Sequence, residues 1–340
     1  MKIISKNFKL LAVFLLVIGV TACGDDDDNN VIGIPSTTVV DVAIANGFSS
    51  LATALTVTGL VDDLQGTGPF TVFAPTNDAF DDLLDATGLD LNNLTTDQEA
   101  LVRNILLNHV IVGSTITSAD LGTLGSGYVN TMATGPNAAN LSLYFNTADG
   151  VVLNGQSNVD LENVDLEATN GIVHVVNDVI ALPTIASFAT SNGALSSLVA
   201  AIQSADNSNL PEGTWLGTVS GTDNTTLAPF TVFAPTNDAF AALLLELDPT
   251  GNTGLGDVAP ATVDAILTYH VVAGSNVQSS GLAALNGVIP TLGGDLTLDG
   301  TTITDSNGRD SAILAPQGLV NIQAINGVVH AIDTVILPPQ

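Results

Sequence analysis

Cysteine is almost missing from this 340-residue chain, which has one, Cys23. No disulfide can close within it, so each folded unit must be held by a hydrophobic core, which a length near 150 residues can supply. Positive charge is nearly as scarce, with 5 Lys and Arg against 34 Asp and Glu. The three lysines, Lys2, Lys6 and Lys9, all stand at the very start, so the rest of the chain sets two arginines, Arg103 and Arg309, against 34 carboxylates, a formal charge of −32. That balance excludes nucleic-acid binding, which needs Lys and Arg to neutralise phosphates. It also disfavours electrostatic adhesion to anionic lipid headgroups. No G-x-S-x-G, H-E-x-x-H or P-loop motif is present. Two arginines leave little to clamp an anionic substrate, and the chain reads as non-enzymatic, with no cofactor implied.

What is present begins with an export signal. Residues 1–22 combine the basic head with an uncharged run over residues 10–20, which at eleven residues is too short to span a bilayer. Val20-Thr21-Ala22-Cys23 resembles a bacterial lipobox, so Cys23 is the expected lipidation site and the lipid would anchor the chain to a membrane. Residues 23–35 include GDDDDNN, a self-repelling acidic tether. Its position just after the cysteine resembles the surface-export signal of Bacteroidetes lipoproteins. The expected location is the bacterial outer membrane, facing the cell surface, with the periplasmic face as the alternative.

The remainder is written twice. PFTVFAPTNDAF occupies residues 69–80 and again residues 229–240. NHVIVGSTITS (108–118) matches YHVVAGSNVQS (269–279), and NGIVHVVNDVIALP (170–183) matches NGVVHAIDTVILPP (326–339). The offsets of 160, 161 and 156 residues preserve order and spacing, the mark of a tandem duplication into two domains, 36–183 and 184–340. Within each copy, helical periodicity comes first: Leu195, Leu198, Val199 and Ile202 form one stripe, and Leu51, Leu55 and Leu60 a weaker one. PFTVFA reads as a buried strand followed by a helix capped at Thr76 or Asn77. Thr96-Asp97-Gln98-Glu99 reads as a capping box opening a helix through Leu101 and Ile105 to His109, and its counterpart starts at Pro260. The later part of each copy alternates with period two, and Asn170-Gly171 and Asn326-Gly327 suggest type I′ hairpin turns. Helices early and strands late predict an α+β fold, helices packed on an antiparallel sheet or sandwich.

TVFAPTNDAF, the Tyr-His pair before a β run and the closing NGVVHAIDTVILP resemble the fasciclin-like domain, and both end motifs occur in both copies. The resemblance implies two tandem domains, each a β-sandwich wedge of about seven strands flanked by helices. It also implies a surface-anchored role in cell adhesion or matrix contact, with a cell-surface protein or polysaccharide as partner. In animal members the Tyr-His neighbourhood is implicated in integrin binding; here it corresponds to Tyr269-His270, and to Asn108-His109 where the tyrosine is absent. An insertion in the second copy carries Trp215, either as a ligand contact or as a lid on the core. Tyr269, His270, Asn108, His109 and Trp215 are therefore the candidate binding residues.

The four histidines, 109, 174, 270 and 330, fall at the repeated landmarks. Their helical and strand phases aim them at the core, which favours hydrogen-bonded structural histidines over a two-histidine metal site, and no metal is expected. DPTGNTGLGD (248–257) lacks the alternating carboxylates and final Glu of a calcium loop and reads as a turn. The rival function is an extracytoplasmic binding module for a small apolar ligand or glycan, held between helices and sheet.

Overall fold

The computed structural model describes residues 37–207, 214–221 and 227–340. The leader, Cys23 and the acidic tether lie outside the described residues, as do residues 208–213 and 222–226 of the insertion. Each copy contains two four-stranded sheets. In the first copy one sheet runs Val110–Val112, Phe70–Pro75, Gly171–Val176, Leu166–Ala168, and the other Ser126–Thr134, Asn140–Asn146, Val152–Leu153, Ser157–Asn158. The second copy repeats the plan around Phe230–Pro235 and Gly327–Ile332. Among the described residues each copy has eight strands where about seven were expected, the shortest only two residues long.

The central pair corrects the expectation of an antiparallel sheet. Phe70–Pro75 runs parallel to Gly171–Val176, as Phe230–Pro235 does to Gly327–Ile332. In the first copy helices Asn77–Thr87, Thr96–Leu107 and Ser118–Leu124 and the second sheet are threaded between these two strands, and such a long crossover brings the chain back in the same direction. All six residues of each opening strand are buried. Phe70, Val72 and Ala74 join a core under the helices with Leu51 and Phe80, while Phe73 joins a second core between the sheets with Leu143, Phe145 and Leu153. A strand covered on both faces needs a continuous apolar run, which is why PFTVFA does not alternate in polarity.

The repeated twelve residues hold both layers in place. Thr71 Oγ1 donates to the Ser114 carbonyl (2.9 Å) and accepts from the Ile116 amide (2.9 Å). Thr231 does the same with Ser275 and Val277. Thr76 caps helix Asn77–Thr87 by accepting from the Ala79 amide. Asn77 reaches back to the start of helix Ser49–Val57, accepting from the Ser50 amide (3.0 Å) and donating to the Gly47 carbonyl (2.9 Å). Asn237 clamps Ser197 and Gly193 in the same way. Capping and clamping leave little freedom at either position, and a structural role accounts for the exact repetition.

Two local expectations are corrected. The capping box of helix Thr96–Leu107 is Thr95 with Gln98, one residue earlier than expected, and Leu101 is 44 % exposed while Val102, Ile105 and Leu106 face inward. The Asn-Gly pairs are not type I′ turns. The hairpin closes at Ala168↔Gly171, so Thr169 and Asn170 turn the chain, and neither has positive φ. Asn170 instead ties segments together: its Oδ1 accepts from the Val39 amide at a helix start, and its Nδ2 donates to the Leu64 and Gly66 carbonyls. Asn326 accepts from the Ile185 amide and donates to the Val219 carbonyl. The glycine is required by proximity, because a Cβ on Gly171 would lie 2.3 Å from the Phe70 carbonyl oxygen, and on Gly327 2.2 Å from that of Phe230.

The two copies share a packed interface. Tyr144, on a strand of the first copy, belongs to the second copy's helical core. Tyr128 lies across the ladder from it, ring centroids 5.0 Å apart, and meets Phe188 edge-on at 5.5 Å. The Asn192 amide donates to the Tyr128 hydroxyl (3.0 Å), Ser191 Oγ donates to the Asn154 carbonyl (2.8 Å), and the Gln323 amide donates to Ser142 Oγ (3.0 Å).

Candidate functional site

The chain passes from helix Thr96–Leu107 directly into the core at Asn108-His109. There His109 Nδ1 meets the Ile105 carbonyl (2.8 Å) and Nε2 accepts from the Ile180 amide (2.8 Å), so the ring is neutral with its proton on Nδ1. His270 is bound alike, to the Ile266 carbonyl (2.9 Å) and the Ile336 amide (3.1 Å). Burial holds both imidazoles down at about 4 despite the carbonyl bonds, which pull the other way. His174 and His330 carry the proton on Nε2, bound to the Ile116 and Val277 carbonyls, and their Nδ1 atoms accept from the Asp165 and Asn321 amides. They stack on Phe73 and Phe233 of the repeated segment, and burial lowers their basicity too. All eight ring nitrogens have partners within the fold, and among the described residues no group of three or more His, Cys, Asp or Glu gathers as a metal would require.

The candidate binding residues do not form one site. Asn108 is buried, donating to the Ile180 and Ala181 carbonyls and accepting from Thr131 Oγ1. Tyr269 stands in its place in the second copy, half-buried against Gly293 and Gly294, where a Cβ on Gly293 would fall 2.3 Å from the ring. Trp215 opens a short helix, Trp215–Ser220, started by the Asp206 carboxylate, which accepts from the Trp215 and Leu216 amides. Its indole lies on the second copy's helical core and donates Nε1–H to Asp264 Oδ1 (2.7 Å). Both arginines are engaged as well: Arg103 with Asp63 and the Thr58 carbonyl, Arg309 with Glu246. In the 248–257 loop Asp248 accepts from Thr250, Asn252 and Thr253 and closes a turn, its carboxyl lowered to about 2 mainly by the Thr250 hydroxyl.

One concavity in the second copy is lined by hydrocarbon. A cavity of about 230 Å³ lies between helices Ser196–Asp206, Asn237–Leu247 and Pro260–Thr268 and the closing segment, with Leu243, Leu244, Leu247, Ile266 and Leu337 among its walls. His270 borders it, whereas Trp215 is not among its lining residues. Leu247, at its edge, is 58 % exposed. On helix NDAFAALLLEL the lining residues Phe240, Leu243 and Leu244 match the first copy, and the one lining position that differs in character is Leu247, where the first copy has Thr87.

Comparison with known proteins gives a consistent result. A model of the Fasciclin domain matches twice, at residues 46–183 and 193–338. Protein sll1735 of Synechocystis sp. is 38 % identical over 143 residues, 42 % of this chain and 96 % of that protein. Human periostin is 31 % identical over 82 % of this chain and 29 % of its own length. The cell surface glycolipoprotein MPB83 of Mycobacterium bovis is 33 % identical over 46 % of this chain and 60 % of its own length. Among solved structures, the FAS1 domain pair of the insect cell adhesion molecule fasciclin I aligns with a TM-score of 0.49 at 18 % identity, over 86 % of this chain and 98 % of that one.

Proposed function

The chain belongs to the fasciclin domain family, with two tandem α+β domains, and on that footing we propose that it is a non-catalytic surface protein whose paired domains contact other cells, matrix or a surface polysaccharide. In this reading Cys23 is lipidated after removal of residues 1–22, the acidic residues 23–35 form the tether, and the protein is displayed on the outer face of a bacterial outer membrane. The domains are taken as 36–183 and 184–340. The carrying observation is the pair itself, two fasciclin domains locked through Tyr128, Tyr144 and Phe188. Two linked modules raise avidity without new contacts, which suits weak individual touches. Similarity to MPB83, a cell surface glycolipoprotein, supports the same placement. So does the engagement of every histidine and arginine within the fold, which leaves these groups holding structure instead of awaiting a substrate.

The test compares host cells carrying the parent gene, a deletion and Cys23→Ser, for adhesion to cells, matrix coatings and polysaccharide films. The reading expects the deletion to reduce adhesion to at least one surface. It expects Cys23→Ser to move the protein out of the membrane fraction, and added protease to reach the parent on intact cells. Unchanged adhesion on all three surfaces would end the proposal.

A further inference from the structure

We propose that the cavity in the second copy is a binding site for one small, uncharged, apolar molecule. Its size sets the scale: a 150 Å³ apolar void admits benzene, so about 230 Å³ encloses roughly nine carbon atoms. The lining sets the chemistry. Among the described residues, Thr262, His270 and Gln340 are the only polar ones around it, and both His270 nitrogens are already bonded to Ile266 and Ile336. Nothing there calls for a charged partner. The comparison between copies adds a second, independent argument. On the helix that walls the cavity, Phe240, Leu243 and Leu244 match Phe80, Leu83 and Leu84 of the first copy, while Leu247 replaces Thr87 and extends the hydrocarbon wall. A void of this kind forfeits packing contacts that a filled core would make. Leu247, at its edge, is exposed.

Indole, uncharged and with nine heavy atoms, titrated calorimetrically into the full chain, should bind saturably with one molecule per chain. 1-Octanol should displace it, and octanoate, of similar size but anionic, should do so at least about tenfold more weakly. Ile266→Trp, which fills the cavity, should weaken binding at least about tenfold, while Leu245→Asp outside the lining should change it little. Methyl resonances of Leu244, Ile266 and Leu337 in the unmodified protein should shift with the probe, a readout that stands even if Ile266→Trp fails to fold. Non-saturating binding, octanoate as potent as octanol, or methyl shifts confined to other regions would each overturn the proposal.

Discussion

Lowering the pH from 7.5 to 5 destabilises each copy by about 2 kcal/mol through its helix-end histidine, His109 or His270. Each ring has an ordinary value of 6.5, which burial takes to about 4 in the fold. Above pH 6.5 folded and unfolded chains are both neutral at this position, so the linkage is silent. Between 6.5 and 4 the unfolded chain binds a proton that the folded chain refuses, and stability falls with falling pH. A separation of about 2.5 pH units is worth about 3 kcal/mol when complete, of which roughly 2 kcal/mol is lost by pH 5. His174 and His330 are lowered too and add loss of the same sign. The lowered carboxylates, such as Asp248, titrate mainly below this window. Relief of the acidic chain's self-repulsion acts in the opposite direction, so it cannot imitate the effect. Urea unfolding followed by circular dichroism at fixed ionic strength, at pH 7.5, 6.5, 5.75 and 5, measures it directly. His270→Gln should lower stability at pH 7.5, through loss of the Ile336 and Ile266 bonds, and flatten the second copy's pH slope. A parent whose stability is flat or rises between pH 6.5 and 5 would refute the buried, neutral assignment.

Asn170→Ala should cost about 2 kcal/mol in thermal or urea unfolding, because three backbone groups lose their partner. Asn170→Asp should cost as much, since it keeps the acceptor for the Val39 amide but sets a carboxylate against the Leu64 and Gly66 carbonyls. Gly171→Ala, with its Cβ driven to 2.3 Å from the Phe70 carbonyl, should cost about 3 kcal/mol or more and reduce the yield of folded protein. Tyr128→Ala should remove about 2 kcal/mol of interface packing and split one calorimetric transition into two, one for each copy.

The twofold organisation, the α+β class and most helices were legible because they rest on local pattern and on exact repetition. The stripe through Leu198 and Ile202 is buried as its spacing requires, with Ala201 and Ala205 completing it. The inward histidines were legible for the same reason, since helical phase places His109 and His270 beyond the last buried turn. Long-range partners were not. Asn170-Gly171 carries the local signature of a turn, yet the asparagine answers groups more than 100 residues away and the glycine answers Phe70 on the neighbouring strand. The parallel central pairing was hidden because its two strands lie about 100 residues apart. The interface was legible only by subtraction. Tyr128 and Tyr144 face one another where the corresponding register of the second copy pairs the exposed Val288 with the exposed Thr297. Large aromatics in one copy, opposite small or polar residues in the other, were the available signal. The cavity had only a faint signal, Leu247 where the first copy has Thr87.

The sharing of cores between the copies runs one way. Both core clusters of the first copy are built from its own residues, whereas the second copy's helical core takes in Tyr144 from its neighbour. The second copy's helical core is thus completed by a ring lent by its neighbour, so truncating Tyr144 would open the core of the copy that does not contain it.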